Sequence, residues 1–206
     1  MSSSYCSILF RISRPEPVKL AAANRKVDRR TLKTRATLLS VFRELVLSQG
    51  YGAVTVNDII RRANIGRSTF YLHFSSKRNL LKHSLDTLCA RLAACVDGDV
   101  TAERLVALLE HFLEQRHLNR VFFEDPIRSI WVERLASLIG QALHGHPGLP
   151  RGRHRLPRSL VASTIAEMQI AMITHWLRGA GSVAPERIAN AILTNTRALL
   201  APTGVP

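Results

Sequence analysis

A short polar stretch carries side chains that can bind phosphate oxygens and the edges of nucleic-acid bases. Its members are Arg67, Ser68, Thr69, Tyr71 and His73. An arginine fork pairs with guanine or with phosphate, and hydroxyl groups reach both phosphates and base edges. These residue types at this spacing therefore offer recognition of a nucleic acid through hydrogen bonds and charge.

Two short helices joined by a tight turn would hold this stretch in place. The first is predicted at Val56–Ala63, where the Thr55 hydroxyl can cap an orphan backbone N–H. Asn64 and Gly66 supply the turn, because both tolerate backbone angles that other residues resist. The second helix, Arg67–His73, carries the polar stretch. A helix, a short turn and a polar second helix are the parts of a DNA-reading helix-turn-helix.

The positive charge of the chain is concentrated in the same half. The net charge is +14; residues 1–83 hold 16 Lys and Arg against 4 Asp and Glu, whereas residues 84–206 hold 13 against 11. A basic half with a helix-turn-helix, next to a nearly neutral half, fits a DNA-binding domain joined to a separate domain. Basic surface that only aids solubility is the alternative, and the coincidence of charge and motif argues against it.

Helical periodicity predicts an all-α fold of about nine helices, and no strand pattern occurs in the sequence. We expect a flexible basic arm at residues 1–28, a three-helix domain at 29–75, and a second helical domain at 76–206. Residues 144–157 are rich in Gly, Pro, Arg and His, which predicts a flexible basic loop.

Turn and cap residues mark the expected helix ends. Gly50 and Gly52 should end the first long helix, and Tyr51 between them should pack back onto it. Ser75 and Ser76 offer an N-cap for the helix that follows the helix-turn-helix. Pro185 is well placed to open the last helix.

Residues 29–81 resemble the N-terminal domain of the tetracycline-repressor (TetR) family of bacterial transcription regulators. The resemblance rests on residues that agree in type and spacing: Phe42, Gly50, Thr55, Asp58, Ile59, Ala63, Arg67, Ser68, Thr69, Phe70, Tyr71, His73, Phe74, Lys77, Leu80 and Leu81. The sequence departs from the family pattern at Ile60, Asn64 and Gly66, so base preferences of relatives do not transfer. The resemblance implies a DNA-binding head followed by a helical ligand-binding and dimerisation domain.

Position within the motif, together with the resemblance, assigns the DNA contacts. We expect them at the start of both helices, along the second helix, and at the start of the next helix. They are Thr55, Arg67, Ser68, Thr69, Tyr71, His73 and Lys77. Phe70 and Phe74 are predicted to lie in the core, where they would lock the recognition helix in place. For Tyr71, a structural role is an open alternative.

The last two predicted helices, at about 158–178 and 185–200, resemble the pair that forms a four-helix dimer interface in the family. Without a partner their apolar faces are expected to be partly exposed: Leu160, Ile165, Ile173, Leu177, Ile188 and Ile192. A homodimer presents two heads to two half-sites, so we expect a palindromic double-stranded DNA operator. The resemblance thus implies a homodimeric repressor.

A small-molecule effector is a further partner that the resemblance implies. Bound between helices of residues 100–178, it would favour a spacing of the two heads that misfits the operator, and DNA would in turn weaken its binding. Candidate ligand-binding residues are Phe112, Phe122, Trp131, Met168, Met172 and His175. Core packing is the alternative for each of them, and Phe123 is a similar candidate.

Other functions find little support in the residue pattern. The sequence contains no phosphate-cradling glycine loop, nucleophile elbow or helical HExxH, so we expect no enzyme and no cofactor. His144, His146 and His154 lack a neighbouring carboxylate or cysteine, which favours a solvated loop over a metal site. No apolar stretch approaches the about 20 residues that span a bilayer, and no signal peptide is recognisable. We expect a cytoplasmic protein that is nucleoid-associated when bound to DNA.

Two rival functions stay open. A constitutive or architectural DNA-binding protein without small-molecule input should have a filled core between residues 100 and 178. A sensor should instead have a cavity of roughly several hundred cubic ångströms there. The other rival is an enzyme or protein-interaction module that merely retains the head domain.

Overall fold

A computed structural model of the chain describes residues 29–97, 102–114, 123–144, 156–179 and 183–201. These residues form eight α-helices and one short 3-10 helix, with no strand among them, which confirms the predicted all-helical fold. None of the described helices is long and apolar enough to cross a membrane. The predicted arm at 1–28 and most of the predicted loop at 144–157 lie outside the described residues.

The chain divides into two compact units, residues 1–87 and residues 88–206. The helices that begin in the first unit are α1 (Arg29–Ala53), α2 (Val56–Ala63), α3 (Arg67–His73) and α4 (Lys77–Ala93). In this unit α2 packs against both α1 and α3. The core that they enclose is apolar: Leu38, Phe42, Val46, Ile59, Phe70, Phe74, Leu80 and Leu81 are all buried.

Gly50 interrupts α1 near its end. Its φ of 80° and ψ of 151° are non-helical, in a region that side-chain-bearing residues rarely adopt. The Tyr51 ring then meets the Phe42 ring edge-on, with 6.3 Å between the ring centroids. Both features confirm the prediction that the long helix breaks here and that Tyr51 folds back onto it.

The second unit is built from the end of α4 and from helices that pack around one core. They are a 3-10 helix (Ala94–Val96), α5 (Ala102–Glu114), α6 (Ile127–Ala142), α7 (Arg158–Arg178) and α8 (Pro185–Leu200). α7 packs against α6, and α8 packs against both α5 and α7. Pro185 occupies the first turn of α8, as predicted.

A polar side chain ties three helices of this unit together. Gln169 on α7 is fully buried, and its Nε2 donates to the Thr196 hydroxyl on α8 at 3.1 Å and to the Leu92 carbonyl on α4 at 3.4 Å. Its Oε1 has no hydrogen-bond partner among the described residues. Buried amides specify how helices pack because few alternative arrangements satisfy their hydrogen bonds.

The expected exposure of the last two helices needs a correction. Ile165, Ile173 and Ile192 are fully buried within a single chain, so no partner is required to cover them. The physical reason is that α7 is covered on two sides, by α6 and by α8. Leu160 is about half exposed, and Leu177 and Ile188 are half-buried, as the prediction required.

Candidate nucleic-acid interface

A capping box fixes the start of α2. The Thr55 hydroxyl accepts from the Asp58 amide at 3.2 Å, and the Thr55 amide donates to the Asp58 carboxylate at 3.0 Å. Hydrogen bonds from the Thr55 hydroxyl and amide lower the pKa of Asp58, and the nearby Arg61 guanidinium adds to this. The predicted N-cap is confirmed, and it satisfies two orphan backbone donors of the motif.

The turn between α2 and α3 depends on Asn64 and not on Gly66. Asn64 lies in the left-handed region, at φ 51° and ψ 53°, as predicted. Gly66 has φ −76° and ψ 154°, which any residue adopts, so the prediction that its backbone freedom is needed was wrong. As the N-cap of α3 it provides no side-chain hydrogen bond. A side chain at this position would meet only ordinary van der Waals contacts.

One face of α3 is anchored in the core. Phe70 and Phe74 are one turn apart on the helix, both are buried, and their ring centroids are 6.3 Å apart. The Phe74 ring also contacts the imidazole of His83 on α4 at 5.5 Å between centroids. The prediction that both rings lie in the core is confirmed.

The predicted DNA contacts on α3 all keep some exposed surface. Arg67, Ser68 and Tyr71 are exposed, while Thr69 and His73 are half-buried. Of these five, Ser68 lies furthest around the helix from the buried rings, whereas Arg67 precedes Phe70 by about one turn and is exposed at the start of the helix. No described contact tests what the five residues bind, so their DNA-binding roles stay predictions.

Arg67 is held in position by both helices of the motif. Its Nη1 donates to the side-chain oxygen of Asn57 on α2 at 3.2 Å, and its guanidinium carbon lies 5.6 Å from the centroid of the Tyr71 ring. The Tyr71 ring in turn packs edge-on against Phe70 at 5.3 Å. Tyr71 therefore has a structural contact and an exposed hydroxyl-bearing ring, and Asn57 is a positioning residue that the sequence did not reveal.

Lys77 makes internal contacts that were not predicted. Its Nζ donates to the carbonyls of Tyr51 at 2.8 Å and Val54 at 2.6 Å, and it lies 4.3 Å from the centroid of the Tyr51 ring. Burial lowers the pKa of Lys77. The Asn79 amide donates to the Ser76 hydroxyl at 3.1 Å, which confirms Ser76 as the cap of α4. Lys77 thus joins the start of α4 to the end of α1, and its phosphate contact stays a prediction.

Arg35 is a second cation with a positioning role. Its Nη1 donates to the carbonyl of His73 at 3.2 Å, and its guanidinium carbon lies 4.6 Å from the centroid of the Phe74 ring. This contact satisfies a carbonyl at the last turn of α3, where no further helical amide is available. Arg35 therefore fixes the C-terminal end of the recognition helix from α1.

Two of the predicted ligand-binding residues come together in an aromatic cluster in the second unit. Phe112 and Trp131 are buried with ring centroids 5.9 Å apart, and Phe123 contacts them at 5.7 Å and 4.8 Å. The buried indole N–H of Trp131 has no hydrogen-bond partner among the described residues. Phe122 lies outside the described residues.

The other three predicted ligand-binding residues lie along a less buried stripe of α7. Met168 and Met172 are half-buried and His175 is exposed. The sulfur of Met172 accepts from the side-chain amide of Asn195 on α8 at 3.7 Å. The face of α7 that enters the core instead carries Ile165, Gln169 and Ile173. The role of Met168, Met172 and His175 in ligand binding stays a prediction, and no described contact joins these three residues to the aromatic cluster.

Part of the first unit is similar in sequence to known regulatory proteins. Residues 38–83 match the family model of the bacterial regulatory proteins of the tetR family. YxbF of Bacillus subtilis, an uncharacterized HTH-type transcriptional regulator, is 36% identical over 69 residues, which are 33% of this chain and 18% of the relative. DhaS of Lactococcus lactis, an activator of the dhaKLM operon, is 25% identical over 96 residues, 47% of this chain and 50% of the relative. The matches span half or less of these curated relatives.

Solved structures of similar fold cover most of both units. A TetR transcriptional regulator from Streptococcus agalactiae is 28% identical, with a TM-score of 0.53 over 82% of this chain and 96% of that chain. FadR of Thermus thermophilus, a TetR-family repressor solved with lauroyl-CoA, is 20% identical, with a TM-score of 0.51 over 84% of this chain and 96% of that one. At 20% identity the second likeness concerns the fold alone.

Proposed function

We propose that this chain is a TetR-family transcription regulator that binds double-stranded operator DNA, because residues 38–83 match the model of the bacterial regulatory proteins of the tetR family. The observation that carries the proposal is the division of α3 into two faces. Phe70 and Phe74 anchor the helix, and the opposite face leaves hydrogen-bonding side chains exposed. The major groove admits a helix of this kind, and base edges are read there by such side chains.

The proposed contacts divide by position along the motif. The first turn of α3 reaches base edges or phosphates through Arg67, Ser68 and Thr69. The remaining contacts are to phosphates, from Thr55, Tyr71, His73 and Lys77. Phosphate contacts set the register of the helix in the groove, so the two groups act together.

The regulator acts as a homodimer in this proposal, since one helix-turn-helix reads only one half-site. α7 and α8 offer a face for a second copy: Leu160 and Leu199 are 48% and 40% exposed. Met168 and Met172 follow Leu160 along α7 at helical spacing, and Asn195, one turn before Leu199, contacts Met172. Covering this face removes apolar surface from water. Two half-sites then lie about one DNA turn, or a small multiple of it, apart.

A small-molecule effector binds at the aromatic cluster of Phe112, Phe123 and Trp131 in this proposal, which makes the protein a ligand-responsive repressor. The support is the buried Trp131 N–H, which has no partner among the described residues. Buried donors are nearly always paired, so an acceptor atom on a ligand would satisfy this one. Reciprocity then requires operator DNA to weaken effector binding by the same factor.

Close packing of the same rings favours a second candidate, a constitutive DNA-binding protein without small-molecule input. The centroid distances of 4.8 to 5.9 Å are those of rings in mutual contact. A screen of small aromatic compounds against the full chain, read by thermal shift and by operator affinity, separates the two candidates. A compound that raises the melting temperature and lowers operator affinity supports the repressor; compounds that change neither support the constitutive protein.

The DNA-binding proposal is tested with the full chain and a labelled duplex from its own promoter region. Fluorescence anisotropy should show binding that weakens as salt rises, because counterions are released from the phosphates. Arg67→Ala combined with Tyr71→Ala should reduce affinity by more than about tenfold, since the Arg67 contact costs about 1–3 kcal/mol when it reads a base and the loss of the Tyr71 phosphate contact adds to this.

The matched control is Arg178→Ala, which removes an exposed arginine of α7. It should leave affinity for the promoter duplex close to that of the wild type. If the Arg67 and Tyr71 double variant kept full affinity, α3 would not be the DNA-binding element and the proposal would fail.

A further inference from the structure

Leu72 is the most exposed large apolar side chain in the described part of the chain. Its exposed fraction is 81%, ahead of 67% for Leu156. Scattered exposed leucines are ordinary on protein surfaces, so exposure alone indicates nothing. What distinguishes Leu72 is its place on α3, the helix proposed to enter the major groove.

Helical geometry places Leu72 on the outermost stripe of α3. It lies one turn after Ser68, and both side chains are exposed. Phe70 and Phe74 form the buried stripe of the same helix. Because successive helical residues are rotated by about 100°, the Ser68–Leu72 stripe lies roughly opposite the Phe70–Phe74 stripe. A groove that receives this helix therefore meets Leu72 among the first side chains.

The surroundings of Leu72 fit a polyanion. Residues 29–87 contain 11 Lys and Arg against 3 Asp and Glu. Next to Leu72, the ring of Tyr71 lies beneath the guanidinium of Arg67. An apolar protein surface offers no negative charge to pair with these cations, whereas the phosphates of DNA attract them. The apolar group that the major groove presents to such a side chain is the C5-methyl of thymine.

We propose that Leu72 is a specificity-determining residue that packs against the C5-methyl group of a thymine in each half-site of the operator. The inference rests on the proposed DNA binding and adds the base that one side chain selects. Cytosine lacks this methyl group and presents a polar amino group in the groove. A cytosine at that position therefore leaves the Leu72 side chain against polar atoms and water.

The test uses the full chain and the duplex that it enriches from a randomised library. Each thymine of that duplex is replaced in turn by deoxyuridine, which removes only the methyl group. Wild-type affinity should fall about fourfold at one position of each half-site, the effect of burying one methyl group. Leu72→Ala should bind the unmodified duplex more weakly and should respond to that replacement by less than about twofold.

The matched control is Leu156→Ala, which shortens an exposed leucine of the second unit. It should reproduce the wild-type response to deoxyuridine at every position. A further duplex carries a C·G pair at the position of the selected thymine. Replacing that cytosine by 5-methylcytosine should recover part of the affinity of the wild type and none of the affinity of Leu72→Ala.

Two results overturn the inference. If the wild type and Leu72→Ala respond alike to every replacement, or if neither responds, Leu72 reads no methyl group while the proposed DNA binding stands. If the full chain enriches no duplex from the library, the proposed DNA binding itself fails, and the inference fails with it.

Discussion

The recognition helix and the aromatic cluster of the second unit use buried rings in different ways. Phe70 and Phe74 form the buried face of α3, and the proposed DNA contacts on that helix all keep some exposure. In the second unit, the proposed ligand contacts Phe112 and Trp131 are themselves the buried rings. A DNA-binding surface can therefore be complete before its partner arrives. A ligand at the buried site must instead separate the rings, and it would pair with the Trp131 N–H, which has no hydrogen-bond partner in the described part of the chain.

The two units also differ in the polar groups that hold their helices. In the first unit, cations bind backbone carbonyls: Arg35 binds that of His73, and Lys77 binds those of Tyr51 and Val54. In the second unit, the neutral amide of Gln169 joins helices from within the core. Part of the positive charge near the helix-turn-helix thus also stabilises the fold.

Phe70→Ala should lower stability and DNA binding more than the other substitutions, because it removes a ring from the buried face of α3. The side chain is fully buried and contacts the rings of Tyr71 and Phe74. Losing a buried phenylalanine costs about 3–5 kcal/mol, so we expect the first unit to unfold at much lower urea and specific DNA binding to be lost. Urea titration followed by circular dichroism, together with anisotropy on the promoter duplex, measures both.

Leu72→Ala serves as the stability control on the same helix. Substitutions of exposed residues usually change the free energy of unfolding by no more than about 0.5 kcal/mol, so this variant should unfold at the same urea concentration as the wild type. Equal stability of the two variants would mean that α3 is not anchored through its buried face, and the contrast between the two units would disappear.

Gly50→Ala should have the next largest effect, although an added Cβ would meet nothing within 4 Å. The cause is the backbone, since a φ of 80° with a ψ of 151° is strained for alanine. We expect a loss of about 1–3 kcal/mol in the free energy of unfolding, measured by urea titration.

Gly52→Ala is the matched control for this glycine. It also meets nothing within 4 Å, and its φ lies outside the strained region. Stability should stay unchanged or rise by about 0.4–1 kcal/mol, because alanine restricts the unfolded chain. Equal losses at both positions would refute backbone strain as the cause.

Local features, which involve residues only a few positions apart, were predictable from the sequence. The Thr55 cap, the left-handed Asn64 and the break at Gly50 all involve near neighbours, so the sequence contains every participant. Gly66 shows the limit of this reasoning. A glycine permits many backbone angles, and residue type alone does not say that this one adopts an ordinary φ of −76°.

Contacts between distant residues could not be read in this way. The bonds from Arg35 to His73 and from Lys77 to Tyr51 join residues 38 and 26 positions apart. Neither residue stands in a pattern that marks a carbonyl as its target. Only the packing of α1 against the rest of the first unit creates these pairs.

Helix α7 illustrates a third limit. Its periodicity identifies stripes of apolar side chains along the helix. Adjacent stripes are offset by one sequence position and both contain apolar residues, so periodicity does not decide which stripe is buried. Met168 and Met172 are half-buried, whereas Gln169 and Ile173, each one position later, are fully buried. Hydrophobicity alone would place the methionines inside and the glutamine outside. The buried amide enters the core because Thr196 and the Leu92 carbonyl satisfy it there.

His111 provides a smaller, pH-dependent effect in the second unit. Burial lowers the pKa of His111, with opposing contributions from Glu114, which raises it, and Arg91, which lowers it. The unfolded chain therefore takes up a proton at higher pH than the folded chain does. The contribution of the neutral His111 imidazole to the free energy of unfolding is fully present above the ordinary histidine pKa. The free energy of unfolding should therefore fall as pH drops from about 7.5 to about 5.5.

Urea titrations at several pH values across this range measure the effect. His111→Gln removes the titrating group, so its stability should depend less on pH than that of the wild type. An unchanged pH dependence in this variant would mean that the buried imidazole does not cause the loss.

Gly66→Ser should have the smallest effect, and its sign is stabilising. The backbone at Gly66 suits any residue, and an added Cβ would lie 3.7 Å from the Thr69 hydroxyl and 3.8 Å from that of Ser68. A serine hydroxyl can accept from an orphan amide in the first turn of α3, which now has no side-chain cap. We expect a gain of a few tenths to about 1 kcal/mol in urea titration, part of it from the restricted unfolded chain.

Gly66→Ala separates these two contributions, because alanine restricts the unfolded chain without offering a cap. Serine should therefore be more stable than alanine at this position, and the difference measures the hydrogen bond. If serine proved no better than alanine, the first turn of α3 would gain nothing from a cap. The recognition helix would then depend on its buried face alone, on the rings of Phe70 and Phe74 and on the Arg35 contact at its other end.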